Sequence, residues 1–135
     1  MKNLLIIFYG LLVITSCTNS TSSNNAQTGS TVNQNLFTVA KEINKKCPMA
    51  TDENTRLDSA TAFNEYMITY HYTVHTASNK DVDIAAFKTG MQTTMNEKYK
   101  TDPQLKIYRD NSIAIACDYK DKNGGYLSYF ICGEK

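Results

Sequence analysis

The sequence has 135 residues, of which 41% are hydrophobic and 20% are charged, and its 14 basic side chains nearly balance its 13 acidic ones. This balance, without any run of basic residues, argues against nucleic acid as a partner, because nucleic-acid binding depends on neutralising phosphates. No spacing of residues is typical of a catalytic, cofactor or metal site. We therefore expect a protein that is not an enzyme and carries no cofactor.

The beginning of the chain has the layout of an export signal. Lys2 precedes an uncharged apolar run of 11 residues, 4–14, and small polar residues follow it. The run is too short to span a bilayer, which needs roughly 20 apolar residues as a helix. The next residues, Ile14-Thr15-Ser16-Cys17, resemble the lipobox of bacterial lipoproteins. That resemblance implies that residues 1–16 are cleaved and that Cys17 carries lipid.

A polar segment separates Cys17 from the rest of the chain. Between Thr18 and Asn33, 12 of the 16 residues are Ser, Thr or Asn. Such a segment buries too little apolar area to offset its ordering entropy, so residues 17–33 are predicted to form a disordered tether with a reach of about 20–25 Å. No acidic cluster follows Cys17, although one follows the lipidated cysteine of some surface-exported lipoproteins. We expect lipid anchoring in the cell envelope, on the periplasmic face of the outer membrane.

Residues 34–135 are predicted to form a single domain, which begins with a helix and continues with strands. Apolar residues recur at helical spacing before Pro48, which ends the helix: Leu36, Val39, Ala40, Ile43 and Cys47. From Thr55 to His75 the period changes to two, which predicts two strands joined by a turn at Asn64-Glu65.

The second half of the domain repeats this order. Ile84, Phe87, Met91 and Met95 predict a helix that is capped by Ser78, Asn79 or Asp81 and ends before Pro103. Residues 105–108 fit either a short strand or the tail of that helix. Two further strands, 112–119 and 126–132, are predicted to pair across Asn123-Gly124-Gly125, a strong hairpin signal. The fold class is therefore α+β, with one antiparallel sheet of four to five strands covered by two helices.

The two histidines raise the question of a metal site. His71 and His75 are four residues apart, which on a helix would bring both rings to one ion. On the predicted strand they lie about 13 Å apart, too far for a common zinc ion. We therefore predict no metal site here.

Three cysteines remain after lipidation of Cys17. Either register of the last hairpin places Cys117 and Cys132 on one face, diagonal or directly opposite. Because the envelope is oxidising, the pattern predicts a disulfide between them, which leaves Cys47 as a free thiol. The alternative is that Cys47 pairs with one of the two strand cysteines.

The domain also resembles a group of small uncharacterised secreted bacterial proteins. The resemblance lies in Asn44…Cys47-Pro48, Thr55-Arg56-Leu57-Asp58, Tyr70-His71-Tyr72 and Asp118-Tyr119-Lys120-Asp121…Gly124. It implies no activity.

Tyrosines suggest an interaction surface. The mature chain has eight, and five on the predicted strands are candidate interface residues: Tyr66, Tyr70, Tyr72, Tyr126 and Tyr129. We expect a non-enzymatic module, an inhibitor or an immunity protein, that binds another envelope or secreted protein while its lipid holds it at the membrane. The alternatives are a small thiol-dependent enzyme or redox protein using Cys47, and a structural envelope lipoprotein.

Overall fold

A computed structural model describes residues 36–133 of the chain. The predicted signal peptide, the lipid site at Cys17 and the tether lie outside these residues. The elements, in chain order, are α1 (Leu36–Asn44), β1 (Met49–Ala50), β2 (Thr55–Asn64), β3 (Met67–Val74), α2 (Ile84–Thr101), a 3₁₀ turn (Pro103–Leu105), α3 (Lys106–Asp110), β4 (Ala114–Asp121) and β5 (Tyr126–Cys132). In this part of the chain, no helix is long and apolar enough to cross a membrane.

The five strands form one sheet in the order β1-β2-β3-β4-β5, which confirms the α+β class. The sheet is mixed, because β3 and β4 run parallel whereas the other neighbours run antiparallel. The reason is the connection between β3 and β4. The 18 residues of α2 extend for about 27 Å, close to the length of about 26 Å of the eight-residue β3. The chain therefore returns to the end where β3 began before it enters β4.

All the helices lie on one side of the sheet, which we call the covered face. Side chains from α1 and α2 join one buried cluster with residues of the four longer strands, including Ala60, Ile68, Ile115 and Phe130. The opposite side, which we call the open face, carries the alternate residues of the same strands. The molecule is thus a two-layer structure with one sheet surface free of helices in the described part of the chain.

Besides its apolar packing, helix α1 binds the sheet through the polar side chain of Asn44. The Asn44 amide donates to the carbonyl of Ala60 at 2.8 Å, and its oxygen accepts from the amide of Ala60 at 2.7 Å. These two hydrogen bonds replace those of a neighbouring strand. They satisfy backbone groups of β2 at a position that the short β1 does not reach, where an unpaired strand edge could pair with another chain.

Helix α2 begins later than its predicted caps. Asp83 is the N-cap, and its carboxylate accepts from the amide of Ala86 at 3.0 Å. The predicted caps Ser78, Asn79 and Asp81 lie in the preceding turn. The helix ends before Pro103 as predicted. Residues 105–108 form neither a strand nor the tail of α2, because Leu105 ends the 3₁₀ turn and the other three belong to α3.

From Ile115 to Tyr119 the last hairpin has the register expected for a turn centred on Asn123-Gly124, and next to the turn, at Lys120, the register shifts by one residue. Its tight turn needs a glycine at position 124, where φ is +81°. Asp121 organises this turn, because its buried carboxylate accepts from the amides of Asn123 and Gly125, and also from Asn79 in the loop before α2. These three hydrogen bonds lower the pKa of Asp121, led by the bond from Asn79.

Candidate binding surface

A chain of hydrogen bonds crosses the open face through Thr61, His71 and Asp118. These residues lie on the neighbouring strands β2, β3 and β4. The Thr61 hydroxyl lies 2.9 Å from Nε2 of His71, and Nδ1 of His71 lies 3.0 Å from a carboxylate oxygen of Asp118. The imidazole is therefore held from both sides, with about a third of its side chain exposed.

A second polar cluster lies beside the first. The carboxylate of Asp58 accepts from Nε of Arg56 and from the hydroxyl of Thr73, both at 2.5 Å. Asp58 reaches Thr73 because β2 has a bulge between Leu57 and Ser59. The open face is therefore ordered by side-chain hydrogen bonds across three strands.

Two of the predicted interface tyrosines border this polar region on β5. Tyr129 pairs with Asp118, and Tyr126 pairs with Lys120, so both rings lie on the open face. Residues three apart on a regular strand point to opposite faces. Tyr126 and Tyr129 share a face because the strand register shifts between Tyr119 and Lys120. Both tyrosines are exposed. The candidate binding surface is the open-face set of Thr61, His71, Thr73, Asp118, Tyr126 and Tyr129.

The other three predicted interface tyrosines lie elsewhere. Tyr66 is exposed in the β2–β3 turn. Tyr70 and Tyr72 point to the covered face, where Tyr72 stacks on Tyr119 with ring centroids 4.8 Å apart. Burial raises the pKa of Tyr70 and of Tyr72, in agreement with packing roles. The structure thus places only two of the five predicted tyrosines, Tyr126 and Tyr129, on the open face.

The arrangement of Thr61, His71 and Asp118 resembles a nucleophile, a base and a group that orients the base. Acyl transfer also needs donors for the developing oxyanion. The amide of Ala60, next to Thr61, is already bonded to the side chain of Asn44. At the surface the array presents a hydroxyl, an imidazole and a carboxylate, all of which can form hydrogen bonds.

The histidine at position 75 takes no part in this array. His71 lies inside β3, whereas His75 follows the end of that strand. Among residues 36–133, no group of three or more potential metal ligands comes together.

The cysteines differ from the predicted disulfide. Cys47, Cys117 and Cys132 are all free thiols in the structure. Cys117 pairs with Phe130 and Cys132 with Ile115, so the two strand cysteines are diagonal neighbours. Such neighbours are typically about 7–8 Å apart between Cα atoms, whereas a disulfide needs less than about 7 Å. The predicted Cys117–Cys132 bond is therefore not formed in this structure.

The environments of the thiols make them weak nucleophiles. Burial raises the pKa of Cys117 to about 12 and also raises that of Cys132. The pKa of Cys47 is raised by partial burial and by the nearby carboxylate of Asp58. Because the thiolate is the reactive form, Cys47 is less reactive at neutral pH than an ordinary cysteine.

Sequence reasoning did not find the open-face array. Thr61, Thr73 and Asp118 carried no signal of their own, since each is an ordinary polar residue of an alternating strand. The pairing of β3 with β4 joins His71 to Asp118 across 47 positions. A prediction of that parallel pairing would have aligned the two residues.

Comparison with known proteins gives a family and a fold. The family model described as "Domain of unknown function (DUF8479)" matches residues 31–128. No curated protein matches the sequence.

Three solved structures resemble the chain. A protein of Pseudomonas aeruginosa described as secreted has a TM-score of 0.59 and 12% identity, over 80% of this chain and 94% of that one. The pilotin of the Vibrio vulnificus type 2 secretion system has a TM-score of 0.61 and 9% identity, over 75% and 86%. The type II secretion system pilotin of Vibrio cholerae has a TM-score of 0.54 and 11% identity, over 74% and 86%. At these identities the likeness shows a shared fold.

Proposed function

This chain belongs to the DUF8479 family, and we propose that it is a lipid-anchored envelope protein whose open sheet face binds another protein without catalysis. The observation that carries the proposal is the ordered array of Thr61, His71 and Asp118 beside exposed Tyr126 and Tyr129. Preorganised polar groups next to aromatic rings are typical of protein interfaces, because they lose little conformational entropy on binding.

Two further observations support a binding role. The fold is shared with two pilotins of type II secretion systems. Those pilotins belong to a protein assembly, which is consistent with a binding role for this fold rather than a catalytic one. The raised pKa of Cys47 works against the alternative of a thiol-dependent enzyme or redox protein.

The proposed position is the periplasmic face of the outer membrane, with lipid on Cys17. The support is the resemblance of Ile14-Thr15-Ser16-Cys17 to a lipobox. Two or more acyl chains anchor a protein stably, because each buried methylene contributes about 0.8 kcal/mol. Incorporation of labelled fatty acid into the wild-type chain, and its loss in Cys17→Ala, tests this step.

Within this role, we propose an inhibitor or immunity protein, whose partner is a toxin or enzyme that reaches the envelope. A structural envelope lipoprotein is the alternative, and its partner is a permanent component of the envelope. The identity of the captured partner distinguishes the two.

The test is affinity capture from envelope extracts with the full-length tagged chain and two double variants. Thr61→Lys with Tyr129→Lys places two charges on the open face. Thr89→Lys with Thr93→Lys places the same charges on exposed positions of α2, as the matched control. We expect a saturable partner to be lost at least tenfold with the open-face variant and retained with the control. Equal retention by both variants contradicts the proposed surface.

A further inference from the structure

The exposed apolar side chains are concentrated at one end of the domain. Six large hydrophobic residues are exposed in residues 36–133, and four of them form what we call the tether-end patch: Phe37, Phe63, Tyr66 and Ile107. Their exposed fractions are 57%, 79%, 55% and 50%. Such a concentration of apolar surface marks a contact site more often than scattered single residues do.

The contacts of the β2–β3 hairpin place three of these residues together. Phe63 and Tyr66 belong to the hairpin tip, and the Tyr66 carbonyl accepts from the amide of Ala114, the first residue of β4, at 2.7 Å. Helix α3, which carries Ile107, lies just before β4 and is joined to it by a bond from the Ile113 amide to the Tyr108 carbonyl at 2.8 Å. Ile107 therefore lies at the same end of the sheet as the hairpin tip.

The direction of α1 brings the fourth residue to this end. The last residue of α1, Asn44, lies at the level of Ala60, and the chain then reaches Met49, which pairs with Leu57. The chain thus moves toward the beginning of β2 as it leaves α1. Helix α1 packs along β2, and Leu36 belongs to the buried cluster of Ile68, whereas Leu57, near the beginning of β2, does not. We infer that the first turn of α1, with Phe37, lies toward the end of β2 and the hairpin tip.

The described chain begins in the first turn of α1, with Leu36, and therefore at this same end. We propose that the tether-end patch docks on the surface of the lipid bilayer, an inference that rests on the proposed lipid anchor at Cys17. The chain between Cys17 and Leu36 has only 18 residues, so the patch is the part of the domain held nearest the lipid. The tether makes docking intramolecular, and weak contacts then suffice because the effective concentration is high.

The chemistry of the patch suits the interfacial region of a bilayer. Tyr rings concentrate at the level of the lipid headgroups, and Phe is typical of apolar faces that enter the boundary between headgroups and acyl chains. Lys106 and Asp110 of α3 pair with each other, and Glu65 in the hairpin tip adds one exposed negative charge. Docking at this end would leave the open face perpendicular to the membrane, where it is accessible to a protein partner.

The test uses the absence of tryptophan from the sequence. In the lipidated full chain, Phe63→Trp places a single tryptophan in the patch, and His75→Trp places one beyond β3, at the opposite end. Phe37→Trp is a second reporter for the patch, should the hairpin variant fold poorly. Each variant is reconstituted in vesicles of phosphatidylethanolamine and phosphatidylglycerol, with or without bromine on the acyl chains.

We expect brominated lipid to quench the tryptophan fluorescence of the Phe63→Trp or Phe37→Trp variant at least twofold. The His75→Trp variant should stay within about a tenth of its unquenched value. Flotation of the wild-type chain with the vesicles reports the anchor separately. If the chain floats but the patch and control reporters are quenched equally, the docking inference is overturned while the anchor stands. If the chain does not float, the anchor fails and the inference with it.

Discussion

The two faces of the sheet show the same strands used in two ways. The covered face is held by apolar packing, in which Ile68, Ile115 and Phe130 are almost completely buried beneath the helices. The open face is held by side-chain hydrogen bonds, in which His71 and Asp118 remain partly exposed. Stability is therefore expected to depend on the first face, and recognition of a partner on the second.

This division follows from the free energies involved. Burying a large aliphatic side chain contributes about 1.5–3 kcal/mol, whereas a hydrogen bond contributes about 0.5–1.5 kcal/mol. Alternation along each strand sends successive residues to opposite faces, so one sequence segment supplies both. Substitutions on each face therefore test whether the two faces are as separate as the structure implies.

The largest effect is expected on the covered face. Ile115→Ala should lower the free energy of unfolding by about 2–5 kcal/mol, because it leaves a cavity in the buried cluster. Thr61→Ala on the open face is the control and should cost less than about 1 kcal/mol. Urea unfolding of both variants measures the difference, and similar losses would show that the two faces are not separate in stability.

The next largest effect is expected at Asp121, whose carboxylate joins the turn of the last hairpin to the loop before α2. Its three backbone hydrogen bonds lower the pKa of its carboxyl in the folded state. The stabilisation is present at neutral pH, above the unfolded-state pKa near 4, and is lost as pH falls through the lower folded-state pKa. Asp121→Asn should be less stable at neutral pH and should lose less stability on acidification than the wild type. The urea midpoint between pH 7 and pH 2.5 provides the comparison, and parallel curves for the two proteins would contradict the assignment.

A smaller effect on stability is expected at the centre of the open face. His71→Ala should lower the free energy of unfolding by less than about 1 kcal/mol, because the pair with Asp118 is partly exposed. The same change should weaken partner capture at least fivefold. A loss of stability without a loss of capture would assign the array a structural role only.

The smallest effect is expected at a polar group inside the covered layer. The hydroxyl of Ser128 is buried without a hydrogen-bond partner, alone among the side chains of residues 36–133 in this respect. Removing an unsatisfied buried hydroxyl relieves a desolvation cost, so Ser128→Ala should be neutral or stabilising by up to about 1 kcal/mol. Thermal unfolding measures it, and a loss of more than about 1 kcal/mol would reveal a partner for the hydroxyl.

Local patterns predicted the elements well, because periodicity reports which side of an element is buried. The alternation around Tyr66–His75 and the stripe of Ile84, Phe87 and Met91 both correspond to elements of the structure. The motif Asn123-Gly124-Gly125 predicted the hairpin as well but left two registers open, and the structure has the one in which Cys117 and Cys132 are diagonal. These features depend on residues close in sequence.

The relations between distant strands were not predictable in this way. The parallel pairing of β3 and β4 depends on the length of α2 and its path over the sheet, which periodicity does not report. That pairing places Asp118 beside His71, and the β5 irregularity places Tyr126 and Tyr129 on one face. The candidate surface therefore emerged only when the strands were assembled.

The most direct test of the proposed binding surface is site-specific photocrosslinking in intact cells. A photoreactive phenylalanine analogue at position 129 lies on the open face, and the same analogue at position 93 lies on the exposed side of α2. We predict a discrete protein adduct when the analogue replaces Tyr129 and none, or at most a tenth as much, when it replaces Thr93. Absence of an adduct at position 129, or equal yields at the two positions, would contradict the proposed surface.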